Sequence, residues 1–244
     1  MPDGSPPLPP VAILCGGAGT RLREHVRSIP KPLVEIGGRP ILWHVIQLYL
    51  AHGFSEVLLL TGFRAKAIER FAGAGSWPPG VTVSCLPTGT ATPTGGRLRQ
   101  AADLVASETI CVSYADGVAD IDLRHLLAYH RGHRCTATMT VVQPELPFGV
   151  AELDGDGAVR GFAEKPRCDH WVNAGFFCFE REALDVLEPG STLEREPLER
   201  LAAAGELRAF RHEGFWECMD TYKDWIALND LWAGGQAPWI SELN

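Results

Sequence analysis

The apolar run Val11-Ala-Ile-Leu-Cys15 breaks into Gly16-Gly-Ala-Gly19, three glycines in four residues, and Thr20 and Arg21 follow at once. Glycines so dense continue neither a strand nor a helix, and they let amide N–H groups crowd toward an anion. A buried strand that ends this way reads as part of an open α/β sheet, whose ligands bind beyond the carboxyl ends of the strands. Two common phosphate loops do not fit. No Gly-Lys-Ser/Thr follows, and Leu22 stands where a dinucleotide fingerprint needs its third glycine. The same spacing disfavours a nicotinamide-dependent oxidoreductase. Pro30-Lys31-Pro32 comes next. Its flanking prolines are expected to hold the lysine extended on a loop, outside any helix.

Strand and helix signals alternate from there. Residues 11–15, 56–61, 81–86 and 109–114 read as strands, and 41–52, 64–71, 98–105 and 123–130 as helices. This order predicts a parallel sheet covered on both faces. The pattern then changes. Residues 136–142 and 174–179 read as strands, and 150–153 and 159–163 flank Asp154-Gly-Asp-Gly157, a hairpin signal. Residues 181–187, 193–204 and 221–232 read as helices. The first ten residues hold five prolines and no periodicity, so a disordered tail over 1–10 and one domain over 11–244 are expected.

A net charge of -8 disfavours nucleic acid or an anionic membrane as the main partner. Cations that meet phosphates must then be local, and Arg21, Lys31, Arg97 and Lys165 are the candidates. No apolar run approaches the roughly 20 residues of a membrane-spanning helix, and the N-terminus lacks the pattern of a secretory leader. The seven cysteines include no C-x-x-C pair and read as reduced thiols of a cytoplasmic protein. His130, His133 and Cys135 have metal-like spacing, but a solvated polar turn is the expectation there.

Asp116 follows the strand 109–114 within Ala115-Asp-Gly117, where a carboxylate at a buried strand end suits a divalent cation. Asp220 is a second such carboxylate, or else a cap for the helix behind it. Asp120 and Asp122 read as caps for the helix at Leu123. Thr94-Gly-Gly-Arg97 is a second glycine turn ending in a cation. Glu164-Lys165-Pro166 repeats the lysine-before-proline device, and Asn173-Ala-Gly175 opens a strand with an amide to offer a hydroxyl.

Taken in this order, these runs resemble the sugar-1-phosphate nucleotidylyltransferase family over nearly the whole chain, from Val11 to Trp239. The likeness is nearest to the glucose-1-phosphate cytidylyltransferases. It is carried by the stretch from Lys31 to His44, by Thr94-Gly-Gly-Arg-Leu98, Asp116-Gly-Val-Ala-Asp120, Asn173-Ala-Gly-Phe-Phe177, Glu194-Arg-Glu-Pro-Leu198, Gly214-Phe-Trp216 and Met219-Asp-Thr221. The resemblance implies a single-domain Rossmann-like α/β fold, a mixed and mostly parallel sheet flanked by helices. It implies transfer of a cytidylyl group from CTP to α-D-glucose 1-phosphate, giving CDP-glucose and pyrophosphate. It further implies that Leu14, Cys15, Gly16, Gly17, Ala18, Gly19, Thr20 and Arg21 wrap the nucleotide together with Ala115. Thr92, Gly95 and Gly96 would lie at the base, and Arg97 at the phosphates or the base edge. Arg21 and Lys31 would act on the phosphates during transfer, Asp116 and Asp220 would hold Mg²⁺, and Gly117, Glu164, Lys165 and Asn173 would hold the sugar phosphate. The nucleophile of such a reaction is already an anion, so no general base is needed, only neutralisation and an in-line approach.

The connection between Phe71 and Thr94 is shorter than the cytidylyltransferases carry, beside the nucleotide pocket and the subunit contacts. A homo-oligomer is expected, with the number of subunits left open. The same chemistry with UTP, dTTP or another sugar phosphate stays open, as does a catalytically silent nucleotide-sugar-binding regulator.

Overall fold

The computed structural model describes residues 7–17, 19 and 29–240. The expectations placed on Ala18, Thr20 and Arg21 lie outside the described residues. Strand β1 is Val11–Leu14, buried along its whole length as a central parallel strand must be. The short antiparallel pair β2 (Glu35–Ile36) and β3 (Arg39–Pro40) leads into helix α1, Ile41–Ala51. Next come β4 (Glu56–Thr61), α2 (Ala65–Ala74), β5 (Thr82–Pro87), α3 (Thr94–Ala102) and β6 (Thr109–Tyr114). Strand β7 (Gly117–Ala119) and helix α4 (Leu123–Arg131) precede β8 (Ala137–Val142). A hairpin of β9 (Val150–Leu153) and β10 (Val159–Ala163) stands before β11, Val172–Glu180. Helix α5 (Glu196–Ala203), β12 (Leu207–Arg211), β13 (Trp216–Cys218) and α6 (Tyr222–Ala233) complete the order.

Seven of these strands form one sheet in the order β12-β8-β11-β6-β1-β4-β5. Only β11 is reversed. It pairs antiparallel with both β6 and β8, and the other pairs are parallel. This reversal decides where the site is built. The amino end of β11, with Asn173, lies at the edge of the sheet where β1 and β6 end, with Gly16 and Asp116 just beyond them. Alternate residues of β1 feed two cores. Val11 and Ile13 pack with α1, α4 and α6 on one face, and Ala12 and Leu14 with α3 and α5 on the other.

Four expectations need correction. Thr94-Gly-Gly-Arg97 is no turn but the first turn of α3, so this helix starts four residues ahead of its apolar pattern. A Cβ on Gly95 would fall 2.5 Å from Ser191 Oγ, and one on Gly96 2.1 Å from the Pro189 carbonyl oxygen. The glycines pay their helical cost by letting α3 press against 189–191. Lys31 is not extended, because Lys31–Leu33 is one turn of 3-10 helix with Pro32 inside it. Two residues placed in the expected tail over 1–10 are packed against the fold. Pro9 and Pro10 are buried, and the Cys111 N–H donates to the Pro10 carbonyl at 3.0 Å. Strand β12 was not foreseen, since only Phe210 of its five residues is buried.

The polar residues around α4 also differ from their sequence reading. Asp122 caps the helix by accepting from the His125 N–H at 2.8 Å, whereas Asp120 lies 3.0 Å from His212 Nε2. His130 sits in no solvated turn. It is buried, 2.8 Å from Thr138 Oγ1 and 2.9 Å from Glu180 Oε1. His133 reaches the same Thr138 hydroxyl, and the Cys135 thiol donates to the Gly205 carbonyl.

Candidate active site

A cavity of about 590 Å³ opens at the carboxyl ends of β1 and β6, within the usual size of a small-molecule site. Gly16, Gly17, Thr90, Thr92, Pro93, Thr94 and Arg97 line one part of it, and Asn173, Ala174 and Trp216 another. Tyr114, Asp116, Cys218 and Asp220 also line the space. A smaller space of about 150 Å³ adjoins it, between Gly17, Gly19, Lys31, Pro32, Ala115 and Asp116.

The glycine wall is held from behind by Arg97. This guanidinium is buried, donating from Nη1 to the Thr61 carbonyl at 3.0 Å and to Thr88 Oγ1 at 2.5 Å, and from Nη2 to the Gly16 carbonyl at 3.1 Å. Gly16 is glycine for this reason: a Cβ there would lie 2.0 Å from Nη1. Arg97 therefore acts as a brace whose donors face the protein as well as the cavity. Cys15 is buried beneath the same loop, and desolvation pushes its thiol well up from the usual range.

Lys31 lines the smaller space and reaches Asp116, which borders both. Its Nζ lies 2.5 Å from Asp116 Oδ2 and 2.5 Å from Asp220 Oδ1. Burial alone would lower the pKa of this ammonium, but the charge of Asp116 and hydrogen bonds to both carboxylates outweigh burial, and the net shift is upward. The carboxylates meet through local pairing. Strand β13 runs antiparallel to β7 with Cys218 opposite Gly117, and the Met219 N–H donates to the Asp116 carbonyl at 2.9 Å. Asp220 does not cap α6. Thr221 takes that place in a capping box with Asp224, which leaves the Asp220 carboxylate turned to Lys31. Cys218 brings a sulfur to the group, with its Sγ and one oxygen of each carboxylate within 4.8 Å of one another. Burial and the Asp116 charge push this thiol upward.

In the part that Asn173 lines, the Trp216 indole N–H donates to the Ala174 carbonyl at 2.8 Å and stands as a flat side of the cavity. Asn173 Oδ1 accepts from the Gly175 N–H at 2.8 Å, and its Nδ2 donates to the Tyr114 hydroxyl at 3.2 Å. Gly175 has φ +85°, and a Cβ there would meet the Tyr114 ring at 2.4 Å.

The structure thus brings together Leu14, Gly16, Gly17, Thr92, Arg97, Asp116, Gly117, Asn173 and Asp220 around one cavity, with Cys15, Gly19, Lys31 and Ala115 around its neighbour. Gly95 and Gly96 are turned to 189–191 and line neither. Glu164 and Lys165 are exposed at the end of the β9–β10 hairpin and line neither. Sequence reasoning did not find Tyr114, Trp216 or Cys218. A tyrosine closing an apolar strand looks like core, and nothing marked β13 as a strand facing a site.

Residues 11–230 match the nucleotidyl transferase family, and the chain belongs to it. It is a nucleotidyltransferase, and within that class it is 38% identical over 248 residues to the probable glucose-1-phosphate cytidylyltransferase of Bacillus subtilis, covering 93% of this chain and 97% of the relative. It is 39% identical over 250 residues to the glucose-1-phosphate cytidylyltransferase of Salmonella typhi, with the same coverage. The fold is that of HddC from Yersinia pseudotuberculosis, solved with GMP-PN, at a TM-score of 0.73, 18% identity, and coverage of 92% of this chain and all of that one.

Proposed function

We propose that this enzyme transfers a cytidylyl group from CTP to α-D-glucose 1-phosphate, releasing pyrophosphate and giving CDP-glucose. The observation that carries this reading is the meeting of Lys31, Asp116 and Asp220 beside the glycine wall, in a chain this similar to two cytidylyltransferases. The nucleotide lies along Gly16, Gly17 and Thr92, and the sugar phosphate toward Asn173 and Trp216. Attack of the sugar-phosphate oxygen on the α-phosphorus brings two polyanions together, so the requirement is neutralisation and alignment. Lys31 supplies positive charge at the triphosphate. Glu164 and Lys165 belong to this proposal as sugar-phosphate residues on an exposed hairpin end, which would have to approach the cavity for contact.

A divalent cation fits the carboxylate pair. An ammonium already sits between Asp116 and Asp220 at 2.5 Å from each, so the site is shaped for positive charge. Two carboxylates are hard oxygen donors suited to Mg²⁺. Bound there, Mg²⁺ would draw charge from the phosphate oxygens. A cytoplasmic setting is part of the proposal, supported by seven cysteines that are all free thiols. No helix among the described residues is long and apolar enough to cross a membrane.

The test is pyrophosphate release with CTP, UTP, dTTP, ATP and GTP crossed against a panel of sugar 1-phosphates. Release highest with CTP and glucose 1-phosphate is the expected result. Another preferred pair would overturn the assignment of substrates, and release with none would favour a silent nucleotide-sugar-binding protein.

A further inference from the structure

Glu194 lines neither space, yet its carboxylate is tied to two residues that line the larger one. The Tyr114 hydroxyl donates to Oε1 at 2.6 Å, and the Thr94 hydroxyl donates to Oε2 at 2.6 Å. Thr94 is fixed in turn, since its oxygen accepts the Leu193 N–H at 2.9 Å. One side chain from the segment ahead of α5 therefore joins the end of β6 to the start of α3 across the cavity.

The chemistry of these groups leaves little freedom. An ionised carboxylate only accepts, so the single proton of Tyr114 is directed at Glu194. The phenol oxygen then has nothing to donate and can only accept, as it does from Asn173 Nδ2. The Asn173 amide is oriented independently, because the Gly175 N–H can only donate and Asn173 Oδ1 takes it. Its NH₂ group therefore faces Tyr114 and keeps a further N–H to give.

We propose that Glu194 is a positioning residue that sets the hydrogen-bond polarity of the sugar end of the cavity, holding Tyr114 as an acceptor beside Asn173 as a donor. The group that satisfies both neighbours must donate and accept at once, which is a free sugar hydroxyl. A deoxy carbon at that position gives the Tyr114 oxygen no second donor and the further Asn173 N–H no acceptor, and such sites discriminate against the analogue that lacks the hydroxyl. This inference rests on the sugar-phosphate reading of the cavity given above.

The experiment combines kinetics with calorimetric binding of glucose 1-phosphate and its monodeoxy analogues to the unaltered enzyme, Tyr114→Phe, Glu194→Ala, Glu194→Gln and the Tyr114→Phe/Glu194→Ala double variant. Glu194→Ala should weaken glucose 1-phosphate binding and raise its KM about tenfold, with the KM for CTP unchanged. The double variant should be no worse than Tyr114→Phe alone. One monodeoxy analogue should bind poorly to the unaltered enzyme and lose that penalty in Tyr114→Phe and in Glu194→Ala. Glu194→Gln, whose amide oxygen can still take the Tyr114 proton, should restore most of the affinity. Additive losses in the double variant, an equal rise in the KM for CTP, or a penalty that survives Tyr114→Phe would overturn the proposal. If Glu194→Ala does not fold, Tyr114→Phe and Glu194→Gln carry the same comparison. An enzyme that binds glucose 1-phosphate with this polarity but releases no pyrophosphate would overturn the cytidylyl-transfer reading instead.

Discussion

The Lys31 ammonium lies 2.5 Å from a carboxylate oxygen of Asp220, a residue 189 positions further along the chain, and an equal distance from Asp116. A lysine and a divalent cation are drawn to the same oxygens. Lys31→Met should lower turnover by a factor on the order of 10² to 10³, the usual loss for a preorganised charge at a reacting group. It should also tighten Mn²⁺ binding in the absence of nucleotide, read by electron paramagnetic resonance titration. Unchanged Mn²⁺ affinity would show that the ammonium does not compete for the carboxylates.

Asp116→Asn and Asp220→Asn each remove one charge from the pair while keeping its shape. Each variant should need a higher Mg²⁺ concentration for half-maximal rate, and the double variant should lose metal-dependent turnover. A metal requirement that stays where it was in both single variants would remove these residues from metal binding.

Arg97 and Gly16 form a lock between a helix and the glycine wall. Arg97→Ala removes the donor to the Thr88 hydroxyl oxygen, and it leaves the Thr61 carbonyl to the Thr88 N–H and hydroxyl and the Gly16 carbonyl to the Phe63 N–H. It should cost about 2 kcal/mol, the usual loss for hydrogen bonds made by a charged group. Gly16→Ala should weaken CTP binding because the new methyl displaces the guanidinium. Thermal melts and nucleotide titrations check both, and melts unchanged from the unaltered chain would show that Arg97 braces nothing.

His44 predicts an acid limb. It is buried between Ile36 and the tryptophans of the C-terminal segment, with Nε2 3.0 Å from the Ile36 carbonyl and Nδ1 accepting from the Trp239 indole N–H at 3.2 Å. A second proton on the ring would face another N–H. Burial accordingly lowers its pKa below 6.5, and the pKa of buried His130 is lowered too, against the pull of Glu180. The unfolded chain then binds more protons than the folded one as the pH falls below 6.5. Stability is full above that value and declines as the pH falls toward the folded pKa. Melting temperatures between about pH 5 and pH 8 should show the decline, and His44→Gln should flatten it. A slope identical in His44→Gln would exclude His44 as a source.

The strands β4, β6, β9 and β10 are legible in the sequence to the residue, because apolar or alternating runs there end in turn-forming residues. What stayed hidden is tertiary. Gly95 and Gly96 argue against a helix by propensity, and only their contact with 189–191 makes them the start of α3. Lys31, Asp116 and Asp220 could be named from sequence because charge at strand ends and beside prolines is conspicuous. Glu194 could not, because its value lies in two hydroxyls about 80 and 100 residues away. Glu164 and Lys165 look like site residues along the chain, yet their hairpin lies outside the seven-stranded sheet.

The pairing of β13 with β7 has a consequence for the making of the protein. A nascent chain can carry the glycine wall, Arg97 and Asp116 long before it carries Asp220. During synthesis the carboxylate pair is therefore missing its second half until β13 has left the ribosome and docked. Unfinished polypeptides hold one carboxylate of the proposed pair, so on that proposal activity in a translation reaction should appear only with nearly full-length chains.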